Sequence, residues 1–177
     1  MAVLPLVIAP DPVLKKKAKA VEAVDDRLRA FMNDMLDTMY DAQGIGLAAN
    51  QVGDLRRVLV MDVAQKEDEE AEKDPMVMVN PEVTWSSDQL NVYQEGCLSI
   101  PDQYADVERP AEVKVNYLDR EGNKQSIHAD GILATCIQHE IDHLNGVLFT
   151  DHLSALKRNM IMKKSGKIKK ARAAEES

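Results

Sequence analysis

The chain of 177 residues has only two cysteines, 4% aromatic residues and no long apolar run. Cys97 and Cys136 cannot build a disulfide framework, so free thiols in a reducing compartment are expected. So few aromatics exclude a base-stacking platform for nucleic acid. No stretch approaches the roughly 20 consecutive apolar residues that cross a bilayer, so no membrane partner is expected. Met1 to Pro10 is apolar but short, lacks a basic leader and runs into Pro10 and Pro12. It reads as an ordinary N-terminal segment and not as a signal peptide, which places the protein in the cytoplasm. What is present is ordinary for a globular chain, with 45% hydrophobic and 29% charged residues. At this length one core buries enough surface to fold without a staple.

Positive charge is also scarce, and it is unevenly placed. The net charge is -8, which argues against DNA or RNA binding through the whole surface. Residues 157–177 hold eight Lys/Arg and two Glu, a local charge of +6, so the rest of the chain carries -14. An acidic body with a basic tail differs from a uniformly acidic protein, and the tail suits an anionic partner. A second charged patch, Lys66 to Pro75, reads as a solvated loop between two strands.

Apolar spacing places the elements. Asp25 and Asp26 precede Leu28, Phe31, Met32, Met35, Leu36 and Met39, an amphipathic helix that should stop before Gly44. Arg57–Asp62, Met76–Val79, Val113–Tyr117 and Lys124–His128 read as strands, with a hairpin turn over Asp119–Asn123. A second helix is expected from about Ile132 to Leu144, and a third, carrying the basic tail, capped by Asp151 or Ser154. This order predicts an α+β fold with antiparallel strands.

The most specific pattern is His139-Glu140-Ile141-Asp142-His143. Residues four apart share a helix face, so His139 and His143 can present two imidazoles to one metal ion. Glu140 lies beside that face, where a carboxylate can take a proton from water. His128 and His152 fit no such pattern and read as surface histidines. A third ligand is needed, and both cysteines are candidates. Cys136 lies on the same helical face but among apolar neighbours. Cys97 comes from a separate segment, Glu95-Gly96-Cys97-Leu98-Ser99, which closes a tetrahedron more easily. A third segment, Gly44-Ile45-Gly46-Leu47-Ala48-Ala49-Asn50-Gln51, is a thin backbone path ending in an amide donor; alone it reads as a structural turn. A zinc endopeptidase and a binding module with a structural metal are the rival readings of these residues. No further histidine follows at the short spacing that many such peptidases use, and a closed structural site needs four protein ligands.

Taken in order, GIGLAANQ, EGCLS and QHEIDH resemble the three signature segments of the peptide deformylases, and the similarity extends over nearly the whole chain. The resemblance implies a catalytic domain over 1–156, built as antiparallel strands around a central helix bearing the HExxH motif. Residues 157–177 would form a basic C-terminal helix within the same domain. It implies a divalent ion, usually Fe2+ with Zn2+, Ni2+ or Co2+ as substitutes, held by Cys97, His139 and His143. Glu140 would be the general base and acid, Gln51 and the Leu98 N–H would stabilise the tetrahedral intermediate, and Gly46 would bind substrate backbone. Ile45, Tyr93, Ile132 and Cys136 would line a methionine pocket, and Glu95 and Arg109 would pair to hold the cysteine loop. The implied reaction is removal of the formyl group from N-formylmethionyl nascent peptides, releasing formate, with the basic tail near the ribosome. Asn50, where many members have Thr, and Thr135, where some have a larger apolar residue, are departures that touch no implied ligand.

Overall fold

The computed structural model describes residues 2–176. Its first helix, α1 (Asp26–Asp41), begins where the sequence places it, because the Asp25 carboxylate accepts the Leu28 N–H at 2.9 Å. The left-handed residue after the helix is Gln43, at φ 59°, and not the glycine that follows. Strand β1 (Gly46–Ala48) comes next, then β2 (Val58–Met61), a short helix α2 (Ala64–Glu67) and β3 (Met76–Ser86). A long hairpin follows, β4 (Leu90–Cys97) and β5 (Ile100–Pro110), then β6 (Val113–Leu118) and β7 (Lys124–Ala129). Helix α3 (Gly131–Leu144) carries the HExxH motif, and α4 (Ala155–Glu176) closes the described chain.

Five strands form one antiparallel sheet in the order β1-β2-β3-β6-β7, and β4 pairs with β5 alone. The antiparallel α+β arrangement is the expected one. Strand β2 is apolar at every position because both of its faces are covered. Val58 and Val60 turn toward Leu28, Met32, Met35 and Met39 of α1. Leu59 and Met61 turn toward Ala134, Ile137, Ile141 and Leu144 of α3. Alternation across the pleat therefore feeds two cores, one on each side of the large sheet. The methionines of α1 are fully buried filler. A third apolar cluster joins Ala9, Leu14, Ile100, Val107, Leu148 and Phe149, with Ile161 and Met162 of α4 packed on it.

Strands β4 and β5 leave no clear mark in the sequence pattern, and β1 stands where a turn is expected. Segment 46–48 is an edge strand and not a turn; Gly-Leu-Ala is short and has no β-branched residue to mark it. The β4–β5 hairpin alternates too weakly to be seen, since its outer face exposes Leu90, Val92 and Tyr104 among polar residues. Strand β3 also runs past its expected end, through a register shift at Asn80 and Pro81. The acidic segment does lie between two strands, and part of it forms α2. Of the two proposed caps, Ser154 serves α4, its Oγ accepting the Lys157 N–H at 3.3 Å. Asp151 instead accepts from Leu148 at 2.9 Å and caps the 3-10 turn Phe149–His152.

Helix α3 ends against the N-terminal segment. Gly146 has φ 76°, and a Cβ there would stand 2.4 Å from the Lys15 carbonyl oxygen. Gly131 is also left-handed, at φ 56°, but a Cβ there meets nothing within 4 Å. Gly131→Ala is expected to cost about 1 kcal/mol from backbone strain alone. Gly146→Ala adds a backbone clash and is expected to cost about 3 kcal/mol. Urea unfolding of the two variants measures the difference, and equal midpoints would show that the Lys15 contact relaxes freely.

Candidate active site

Helix α3 turns His139, Glu140 and His143 inward, and the hairpin brings Cys97 to them. The Nε2 atoms of His139 and His143 lie 3.2 Å apart, and Cys97 Sγ lies 3.3 Å from His143 Nε2. All three ligand atoms fall within 4.8 Å of one another. Bond lengths of ~2.0–2.3 Å at tetrahedral angles put donor atoms ~3.3–3.6 Å apart, so the set fits one small divalent ion. Cys136 lies outside this cluster. It is buried, its thiol points at the Ile45 carbonyl at 3.7 Å, and burial, with Glu140 beside it, pushes its pKa well up. It is a neutral thiol in an apolar wall.

Protons on the two imidazoles are fixed differently. His139 Nδ1 donates to Glu95 Oε1 at 2.9 Å, which leaves Nε2 as the lone-pair atom facing Cys97 and His143. Burial works against a charge on His139, yet Glu140, Cys97 and Glu95 outweigh it and raise its pKa, so Nε2 presents its lone pair once that proton has left. Burial and the neighbouring His139 lower that of His143, keeping it a neutral acceptor. Glu95 is held in turn by Arg109, Nε to Oε2 at 2.7 Å and Nη2 to Oε1 at 2.9 Å. Arg109 Nη1 reaches Asp142 Oδ2 at 2.9 Å, and His152 meets the same oxygen at 2.8 Å. Glu95 and Arg109 are 6% and 5% exposed, so this is a buried, doubly bonded ion pair and not a surface one.

Glu140 is 2% exposed, and its Oε2 has no hydrogen-bond partner among the described residues. Burial pushes its carboxyl up to about 7, His139 draws it down and Glu95 pushes it further up. A base poised near neutrality transfers protons in both directions, and a cation alongside favours its charged form. Gly46 makes room for it. A Cβ at Gly46 would stand 2.9 Å from Glu140 Cγ and Cδ and 3.0 Å from Cys136 Sγ. Gln51 is clamped by its own Oε1, which accepts the Ala48 N–H at 3.0 Å. Its Nε2 donates to Ser99 Oγ at 3.1 Å and to Cys97 Sγ at 3.3 Å, so the amide points into the site.

These groups open into a cavity of about 690 Å³. Residues 3–159 match the polypeptide deformylase family. The peptide deformylase of Brucella suis is 59% identical over 99% of this chain and 98% of its own length. That of Agrobacterium fabrum is 56% identical over 97% and 99%. Among solved structures, the Ehrlichia chaffeensis peptide deformylase superimposes with a TM-score of 0.91 at 39% identity, covering 97% of this chain and 99% of that one. The same enzyme in complex with actinonin gives 0.89 at 43% identity, over 94% and 98%.

The chain belongs to the polypeptide deformylase family.

It is a peptide deformylase, a metal-dependent hydrolase that removes the formyl group from N-terminal formyl-methionine of newly made proteins and releases formate. In this deformylase the cavity is lined by Ile45, Gly46, Gln51, Cys97, Leu98, Ile132, Cys136, His139 and Glu140, all singled out from sequence. His143 lies beneath the floor, fully buried. Tyr93 is the exception. It is half-buried opposite Val107 in the hairpin and is not among the lining residues. Thr135 lines the cavity, whereas Asn50 is buried behind it with Nδ2 on the Lys16 carbonyl at 2.9 Å.

Ser99 and Asp142 were missed as supporting residues although both sit inside the motifs. Nothing in their spacing shows what they bond. His152 is more than a surface histidine, since it contacts Asp142 at the outer end of the buried pair. Glu95→Gln keeps an acceptor for His139 but removes the charge that faces Arg109. Metal affinity is expected to fall about 10- to 100-fold in chelator competition. An unchanged affinity would show that Glu95 does not orient His139.

Proposed function

We propose that Cys97, His139 and His143 hold one divalent ion, Fe2+ in the native enzyme with Zn2+, Ni2+ or Co2+ able to replace it. The donor set supports a borderline-soft ion, since it joins one thiolate-forming sulfur to two imidazoles. When bound, such an ion lowers the pKa of water toward ~7 and polarises a carbonyl. Helix α3 is proposed as the central helix around which both sheets are organised.

The single observation that carries the mechanism is the buried, unpartnered Glu140 oxygen beside three converging donor atoms. Glu140 takes a proton from the attacking water, and the water oxygen adds to the formyl carbon. Gln51 Nε2 and the Leu98 N–H steady the oxygen that becomes negative. Glu140 then hands its proton to the departing methionyl nitrogen as the C–N bond breaks, giving formate and a free amine. Edge strand β1 offers its outer backbone to an extended peptide, which suits a binding role for Gly46. Ile45, Ile132 and Cys136 supply apolar wall for an unbranched side chain. Tyr93, two residues before Glu95 on β4, is proposed for the same wall.

Among the described residues no helix is long and apolar enough to cross a membrane, and we assign the enzyme to the cytoplasm from its free thiols. The catalytic unit is taken as residues 1–156, with 157–177 as a basic helix of the same domain. That helix is proposed to dock on the anionic surface of the ribosome, where nascent chains emerge.

Glu140→Gln should retain the ion by metal analysis and lose formate release from formyl-Met peptides by about 10²–10⁴-fold or more. Near-normal turnover would exclude Glu140 as the base. Lys163, Lys167 and Lys170 changed together to Glu should weaken ribosome binding, most at low salt, while release from short peptides is retained. Substitution is the right test here. Deletion from Met160 onward would also strip Ile161 and Met162 from the third apolar cluster. Ribosome affinity equal to the parent at all salt concentrations would count against docking.

A further inference from the structure

The basic residues of α4 are not one population. Ile161, Met162, Ser165, Ile168 and Lys169 form the face of the helix turned toward the body. Ser165 is fully buried and donates to the Ala9 carbonyl at 2.8 Å, and Lys169 approaches Asp11 at 3.5 Å. Arg172 follows Ser165 by seven residues, Ile168 by four and Lys169 by three, so it continues this inner face. Lys163, Lys167 and Lys170 lie on the opposite side. The inner face ends at the cavity, and Arg172 is one of its lining residues, together with Lys66 from α2. Neither side chain has a hydrogen-bond or ion-pair partner among the described residues. Both are exposed.

The site itself is rich in negative groups. Glu140 and Asp102 line the same cavity, and the body of the chain carries -14. An acidic nascent chain entering this cleft meets repulsion unless cations stand at the rim. Formyl-methionine must place its formyl end at the buried donors, so the residues after it leave through the open side of the cavity. A guanidinium with no internal partner presents a planar fork matched to a carboxylate.

Resting on the deformylase reading, we propose that Arg172, assisted by Lys66, is a specificity-determining residue that receives an acidic side chain of the substrate downstream of formyl-methionine. The last helix thus has a second duty at the active site, on the face that a ribosome-docking role does not use. A carboxylate reaches such a rim from two sources, an Asp/Glu side chain or the free C-terminus of a short peptide. Only the first exists on a nascent chain.

The test uses the full-length, metal-loaded enzyme and formyl-Met-Ala-based tetrapeptides with a C-terminal amide, beside a matched set with a free C-terminal acid. Each carries Glu, Gln or Lys at position three or four. The kcat/KM ratio of the Glu to the Gln peptide is expected to exceed one at one of these positions. It is expected to fall by about three- to fivefold in Arg172→Ala, through KM, and to shrink with salt. Arg172→Glu should reverse the preference toward the Lys peptide, and Lys66→Ala should lower the ratio by a smaller factor. The same ratio in the parent and all three variants would overturn the proposal. So would a dependence on residue 172 that appears only with free-acid peptides, which would assign the contact to a peptide C-terminus. Formate release from none of the peptides would overturn the deformylase reading itself, and this inference with it.

Discussion

The active site depends on one interaction, the pairing of Arg109 with Glu95. Two parallel hydrogen bonds join them in a setting that excludes water. Glu95 lies on β4, Arg109 on β5, and both reach α3, through His139 and Asp142. The hairpin and the motif helix are therefore tied by fixed charges and not by apolar contact alone. Two charges out of water are costly, and their attraction offsets that cost only when every lone pair is used. Here Glu95 accepts from Arg109 and His139, and Arg109 fills its fork with Glu95 and Asp142. The pair holds the cysteine turn at the distance that lets Cys97 and the imidazoles converge.

The large sheet sets where that helix can be. Apolar residues on both faces of β2 trap it between α1 and α3, so α3 cannot roll without exposing Ile137 or Leu144. Rolling would also carry Glu140 away from Gly46, the only residue type that lets β1 lie so near. A rigid core on one side and a charged clamp on the other leave the ligand atoms little freedom. Such rigidity is useful to chemistry that relies on groups already in place before the substrate arrives.

Much of this was legible in the sequence, for identifiable reasons. His139 and His143 are recorded by helical spacing, and α1, β2, β6, β7 and α3 by apolar periodicity. The β4–β5 hairpin was not legible. Its stability comes from one buried face, a charge pair and its partner strand, none of which leaves a strong alternation. Gln51 was legible as an amide donor, but segment 46–48 could not be read as a strand from composition, because the role of Gly46 is set by what lies against it. Resemblance to a family supplied Cys97 over Cys136, and the geometry gives the physical ground: one sulfur converges with the imidazoles and the other points at a carbonyl. The same resemblance placed Tyr93 in a pocket wall, where the cavity does not include it. Arg172 was visible only as one more positive charge in a tail, since its face on α4 is defined by Ser165 and Ile168.

The hydrogen bond between Ser165 and Ala9 spans 156 residues of chain. The third apolar cluster is therefore completed only when segments far apart along the chain meet. Contacts of such separation carry a high loop-closure cost and form slowly, so α4 is expected to dock after the local hairpins have paired.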